Sequence, residues 1–138
     1  SIAQMFRGCS SGDPDVTGFD VSGASIMESL FNGCSVADVD ISGWDTSNVL
    51  TFQGLMLGCT LANPSIEALN IGNLNTAVVM LSGTAFSDSN YDAALLSWSA
   101  QPHQSNVTAH FGTAKYTETA ARQILVDDGW LISDGGPA

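Results

Sequence analysis

The chain has 138 residues, with 14 acidic and three basic side chains, a formal charge of −11 and only 12% charged residues. Its cations are Arg7, Lys115 and Arg122 alone, which excludes nucleic acids and anionic membrane surfaces as partners, because both need clustered Lys and Arg. A hydrophobic share of 44% argues against long disorder, and no run of about 18 apolar residues offers a membrane span.

In chain order, the first element is a half-unit over residues 1–9, with Ile2, Met5, Phe6 and Cys9 as its apolar set. The same spacing returns as Ala24, Met27, Leu30, Phe31, Cys34, then Val49, Phe52, Leu55, Met56, Cys59, then Leu74, Ala77, Met80, Leu81, Thr84. Each set ends on a glycine followed by a small residue, at Gly8, Gly33, Gly58 and Gly83, a repeat of 25 residues. Steps of three, three, one and three predict one face of a short helix in every unit. Between the helices, Phe19–Ser22, Val39–Ser42 and Leu69–Gly72 alternate apolar and polar residues and predict short strands. Gly12, Asp13, Pro14 and Asn63, Pro64 break the chain before two of them. A second register, at a strict 25, pairs Asp15–Asp20 with Asp40–Asp45, and both remain open.

The rhythm changes after Phe86. Ser87 or Ser89 caps a predicted helix that buries Tyr91, Ala94, Leu95 and Trp98. A polar loop, Gln101–Asn106, precedes a strand with Val107, Ala109 and Phe111 inward. Thr117 and Glu118 open a second helix with Ala120, Ala121, Ile124 and Leu125 inward, closed at Gly129, and Trp130–Ile132 make a last strand.

Units that cannot bury their apolar faces alone must stack. The expected fold is α/β: a leucine-rich-repeat-like solenoid of three to four 25-residue strand-turn-helix units over residues 1–86, closed by an α/β capping segment over 87–138. Its sheet would turn Phe19/Val21, Val39/Ile41 and Leu69/Ile71 inward, and Asp20/Ser22, Asp40/Ser42 and Asn70/Gly72 outward. Because residues 1–9 lack a preceding cap, further repeats or a stem are expected upstream of Ser1.

Met5-Phe6-Arg7-Gly8-Cys9 and Val39-Asp40-Ile41-Ser42-Gly43-Trp44-Asp45-Thr46-Ser47-Asn48-Val49 resemble the BspA-like leucine-rich repeats of bacterial surface proteins. Asn90-Tyr91-Asp92, Leu95-Leu96, Trp98, Lys115-Tyr116, Gly129-Trp130, Ile132 and Asp134-Gly135-Gly136 are similar to the C-terminal piece that follows such repeats. The resemblance implies an extracellular, non-enzymatic role in adhesion or receptor recognition on a cell or virion surface. It fits the distal end of a bacterial adhesin or of a phage tail fibre, where a trimeric stem would sit upstream. The partner would be a cell-surface protein or glycan, and the alternative is a spacer or self-association module with no ligand.

The candidate binding residues are the outward row, Asp20, Ser22, Asp40, Ser42 and Asn70, or the loop set Gln101, His103, Gln104 and Asn106. No cofactor or metal is expected. Three cysteines 25 residues apart are unlike zinc spacing, and Asp13-Pro14-Asp15 and Asp38-Val39-Asp40 lack a calcium-loop pattern, so the aspartates are expected to form turns. Helices packed about 9 to 10 Å apart would keep cysteines of neighbouring units from forming a disulfide. No nucleophile elbow, zinc-protease or phosphate-loop motif accompanies His103 and His110, so no catalytic residue is assigned.

Overall fold

The computed structural model describes residues 1–10, 14–35 and 39–138. Gly12, Asp13 and Asp38, named above for turns and for the two aspartate pairs, lie outside the described residues. The regular elements are β1 (Thr76–Ala77), α1 (Asp88–Ala100), β2 (Thr108–His110), α2 (Thr119–Asp127) and β3 (Leu131–Ser133). The strands form an open, parallel sheet in the order β1-β2-β3, with Thr76 opposite Thr108 and Thr108 opposite Leu131.

The leucine-rich-repeat-like solenoid of strand-turn-helix units is therefore not what the chain forms. Among the described residues before α1 there is no α-helix, and β1 is the single strand. The expected helices are runs of turns at 3–8, 28–33, 53–58 and 78–83. An α-helix needs each N–H to reach the carbonyl four residues back. Here Phe6 N donates to Leu30 O at 2.9 Å, Phe31 N to Leu55 O at 2.8 Å and Met56 N to Met80 O at 2.9 Å, one repeat further on. Gln4, Ser29, Gly54 and Val79, at equivalent positions, hold φ between 49° and 63°, which no right-handed helix contains.

Overlapping turns in each unit nevertheless send most of the same residues inward. Met27, Leu30, Phe31, Phe52, Leu55, Met56, Met80 and Leu81 are all buried. The helical spacing thus identified most of the inward residues of the later units and misassigned their backbone; in the first unit Met5, expected inward, is 54% exposed.

The expected strands over 19–22, 39–42 and 69–72 do not form either; these segments have no regular structure and lead into turns at Ser22, Ser42 and Gly72. Asn48 donates to Ser22 O and Asn73, 25 residues on, to Ser47 O, so the chain follows the strict 25-residue register. In it Phe19 shares a position with Trp44 and Leu69, and Phe19 is 45% exposed rather than inward. Single bridges, Ile26 to Thr51 and Thr51 to Thr76, lead into β1 and thence to β2 and β3.

The C-terminal elements follow the sequence more closely. Ser87 caps α1, its side chain accepting from Asn90 N, and Tyr91, Ala94, Leu95 and Trp98 are buried. Val107, Ala109 and Phe111 are fully buried along β2. In α2 only Ala121 and Leu125 of the expected inward set are buried; Ala120 and Ile124 face solvent. Gly129 ends α2 with φ +86° and donates its N–H to Val126 O. One core cluster runs through both regions, from Val16 to Trp130.

Candidate functional site

The expected outward row resolves into two lines of Asx turns. Asp15 Oδ1 accepts from the amide and hydroxyl of Thr17, Asp20 Oδ1 from those of Ser22, and Asp40 Oδ1 from those of Ser42, with hydroxyl contacts of 2.6 to 2.7 Å. Asp45 Oδ1 accepts from Ser47 N, and Asn70 Oδ1 from Gly72 N. These bonds from the residue two along, hydroxyl first and amide second, hold the Asp15, Asp20, Asp40 and Asp45 carboxyls below their usual range. The structure thus separates Asp20 and Asn70, which share a column with Asp45, from Asp40, which shares one with Asp15. Their acceptors and the Ser22 and Ser42 hydroxyls are engaged in shaping the chain, on turns rather than on a sheet face.

The loop set is likewise engaged, as a fastening. Gln101 accepts from Ile71 N and donates to Leu69 O. Gln104 donates to Gly72 O at 2.7 Å, the next step of a series in which Asn48 donates to Ser22 O and Asn73 to Ser47 O. His103 bridges Gln101 O and the Asp128 carboxylate, at 2.8 and 2.7 Å. Asn106 takes φ 61° and donates its N–H to Asp128 O. The loop ties α1 and α2 to the last repeat.

The residue that ends the repeat ladder, His110, is one the sequence offered only as a histidine without a catalytic motif. At equivalent positions Gln4 N, Ser29 N and Gly54 N each donate to a backbone carbonyl one unit on. Val79 N donates instead to His110 Nδ1 at 3.0 Å, and Leu81 N to His110 O. A side chain stands where a further unit would supply a carbonyl. It accepts only with Nδ1 unprotonated.

Beside His110 lies an open groove of about 390 Å³, lined by Thr108, His110, Arg122, Val126, Trp130, Leu131, Ile132 and Ser133. Leu131 is 68% exposed there, on the edge strand. Arg122 is anchored by Nε to Asp134 Oδ2 at 2.8 Å, and its guanidinium carbon sits 4.7 Å from the Tyr116 ring centroid. The fully buried Tyr91 donates its hydroxyl to the same Asp134 oxygen at 2.6 Å. Burial, then the Asp134 carboxylate, pushes the Tyr91 phenol far up, so it remains a donor. The sequence signal for this groove was slight: Arg122 is one of three basic residues, and Asp134 is some distance along the chain.

Among the described residues no group of three or more His, Cys, Asp or Glu side chains is placed to hold a metal ion. No helix among the described residues is long and apolar enough to cross a membrane.

Residues 1–123 match the family described as "Mycoplasma protein of unknown function, DUF285". The chain belongs to this family. The match crosses from the turn repeats through α1 and β2 and stops inside α2. No curated protein matches the chain, and no solved structure does.

Proposed function

We propose that this DUF285 chain is a non-enzymatic recognition module of an extracellular bacterial surface or fibre protein, similar to the BspA-like surface repeats, and that it contacts a cell-surface protein or glycan. The observation that carries the reading is the groove along β3. It joins a 68% exposed Leu131 to donors on Arg122, His110, Thr108 and Ser133, and such mixed patches suit contact with a partner. The polar residues elsewhere support it by exclusion, since the turn aspartates and the loop amides already bond within the chain.

The test is a glycan array together with binding to whole cells, comparing the wild type with Leu131→Glu. Leu131 is exposed enough for the change to leave the fold intact, and a contact at the centre of an interface loses about tenfold or more. Equal binding by the variant, or no binding to any glycan or cell, overturns the reading. A second reading, self-association, is favoured by the position of β3 at the sheet edge, where unpaired backbone groups can template another strand. Concentration-dependent growth in light scattering with no ligand would select it.

A further inference from the structure

The cysteine ladder takes a different meaning once the helices are gone. Helices packed about 9 to 10 Å apart would make a bond between units unlikely. Around Cys9 and Cys34 the two chains instead run side by side, hydrogen-bonded before and after the cysteines. Phe6 N donates to Leu30 O at 2.9 Å, Gly8 N to Asn32 O at 2.9 Å and Ser35 N to Cys9 O at 3.0 Å. Backbones paired in this way lie about 4.8 Å apart, within the roughly 4.4 to 6.8 Å between Cα atoms that a disulfide spans. The Cys34 thiol reaches into the neighbouring unit, donating to Phe6 O at 2.6 Å. Access is graded along the ladder: Cys9 is half-buried, whereas Cys34 is 2% exposed and Cys59 fully buried.

We propose that Cys9 and Cys34 are a modification site, closing into a disulfide between the first and second units when the folded chain meets a low-molecular-weight disulfide oxidant such as oxidised glutathione. The Cys9 thiolate attacks one glutathione sulfur, forming a mixed disulfide and releasing one glutathione thiolate. The Cys34 thiolate then attacks the Cys9 sulfur and releases the second. Two protein thiols are oxidised, one oxidant disulfide is reduced to two thiols, and the two thiol protons pass to solvent or to the released thiolates. Cys9 goes first because the oxidant can reach it. Cys34 resolves because it is the thiol beside Cys9, although burial pushes its own pKa up and slows the second step. Cys59 stays reduced, with its thiol on Phe31 O at 2.8 Å.

The test is incubation of the folded chain with excess oxidised glutathione, then alkylation in denaturant and peptide mapping. The expected product has lost two hydrogen masses, carries a Cys9–Cys34 linked peptide and is alkylated at Cys59 alone. Cys59→Ser forms the same link, and a thiol reductant reverses it. Cys9→Ser and Cys9→Ala, each checked for fold by circular dichroism, take up no intramolecular disulfide. Stable glutathionylation of Cys9 without closure, a Cys34–Cys59 link, or three thiols still free after prolonged exposure would each overturn the proposal.

Discussion

The repeat region and the C-terminal region bury the same kinds of side chain, but they satisfy their backbones in opposite ways. In α1 the N–H groups bond within the element, and Ser87 accepts from the first turn. In the repeats the N–H groups of Phe6, Phe31 and Met56 leave their own unit and bond to the next. An apolar period reports which residues face inward. It does not report where the amides go. A single repeat therefore cannot be stable by itself, whereas α1 and α2 are local structures docked on the stack. The join is made by side chains that stand in for a further unit: His110 Nδ1 for Val79 N, Gln104 for the Asn48 and Asn73 series, and Trp98 Nε1, which donates to Ile66 O at 3.1 Å.

The largest expected effect breaks that join. Trp98 is 1% exposed, packs against Phe111 and Trp130 with ring centroids 5.6 and 6.2 Å apart, and contacts both regions. Trp98→Ala should cost about 3–5 kcal/mol. If the repeats depend on their last partner, denaturation stays a single transition, and the Met56 and Gly58 amides lose hydrogen-exchange protection together with those of α1. Persistent protection at Met56 and Gly58 with α1 exchanging freely would mean the two regions are independent.

A smaller effect sharpens the comparison at one backbone conformation. Gly33 and Gly112 have nearly the same left-handed φ, +70° and +67°. A Cβ on Gly33 would meet nothing within 4 Å, whereas on Gly112 it would sit 2.8 Å from Leu81 O at the join. Gly33→Ala should cost about 1 kcal/mol, from the left-handed strain alone. Gly112→Ala adds a clash with backbone and should reach about 3 kcal/mol. Urea unfolding of the two variants side by side measures the difference; equal losses would mean that the join relaxes freely around a new methyl.

These contrasts explain what the sequence could and could not tell. In the C-terminal region the cap at Ser87, the inward face of α1, the β2 alternation and the Gly129 stop were legible because each is decided by residues a few positions apart. In the repeats the period and the inward residues were legible, but the conformation was set by partners a full unit away. Glycines at equivalent positions, Gly8, Gly33, Gly58 and Gly83, were the available sign that a left-handed turn ends each unit. Ser29 and Val79 take the other left-handed position without a glycine, so nothing local marked it. The Arg122–Asp134–Tyr91 cluster escaped for the same reason, since folding alone brings those three residues together.

The smallest effects concern the turn aspartates, and they separate the regions by pH. Asp15, Asp20, Asp40 and Asp45 in the repeats have lowered pKa values because hydroxyl and amide donors favour the carboxylate. In the C-terminal region Asp92 is opposed by burial, but bonds from the Thr117 hydroxyl and amide and the Glu118 amide outweigh it, so its pKa is lowered too. A folded carboxyl with a lowered pKa binds protons less readily than the unfolded chain does. Its contribution is therefore complete above the ordinary carboxylate pKa of about 4 and is lost as pH falls through the lower folded value. Asn70 performs the same turn in the Asp20–Asp45 column with an amide oxygen that does not titrate in this range, accepting from Gly72 N at 2.9 Å. Asp20→Asn with Asp45→Asn should thus keep the turns, lower the pH 7 melting temperature slightly because the bonds to a charged acceptor are lost, with the relieved Asp20–Asp45 repulsion offsetting part of the loss, and flatten the acid limb. Thermal melts from pH 7 down to 2 measure it. An unchanged acid limb in the double variant would assign acid sensitivity to the remaining carboxyls, Asp15, Asp40 and Asp92, rather than to the Asp20–Asp45 column.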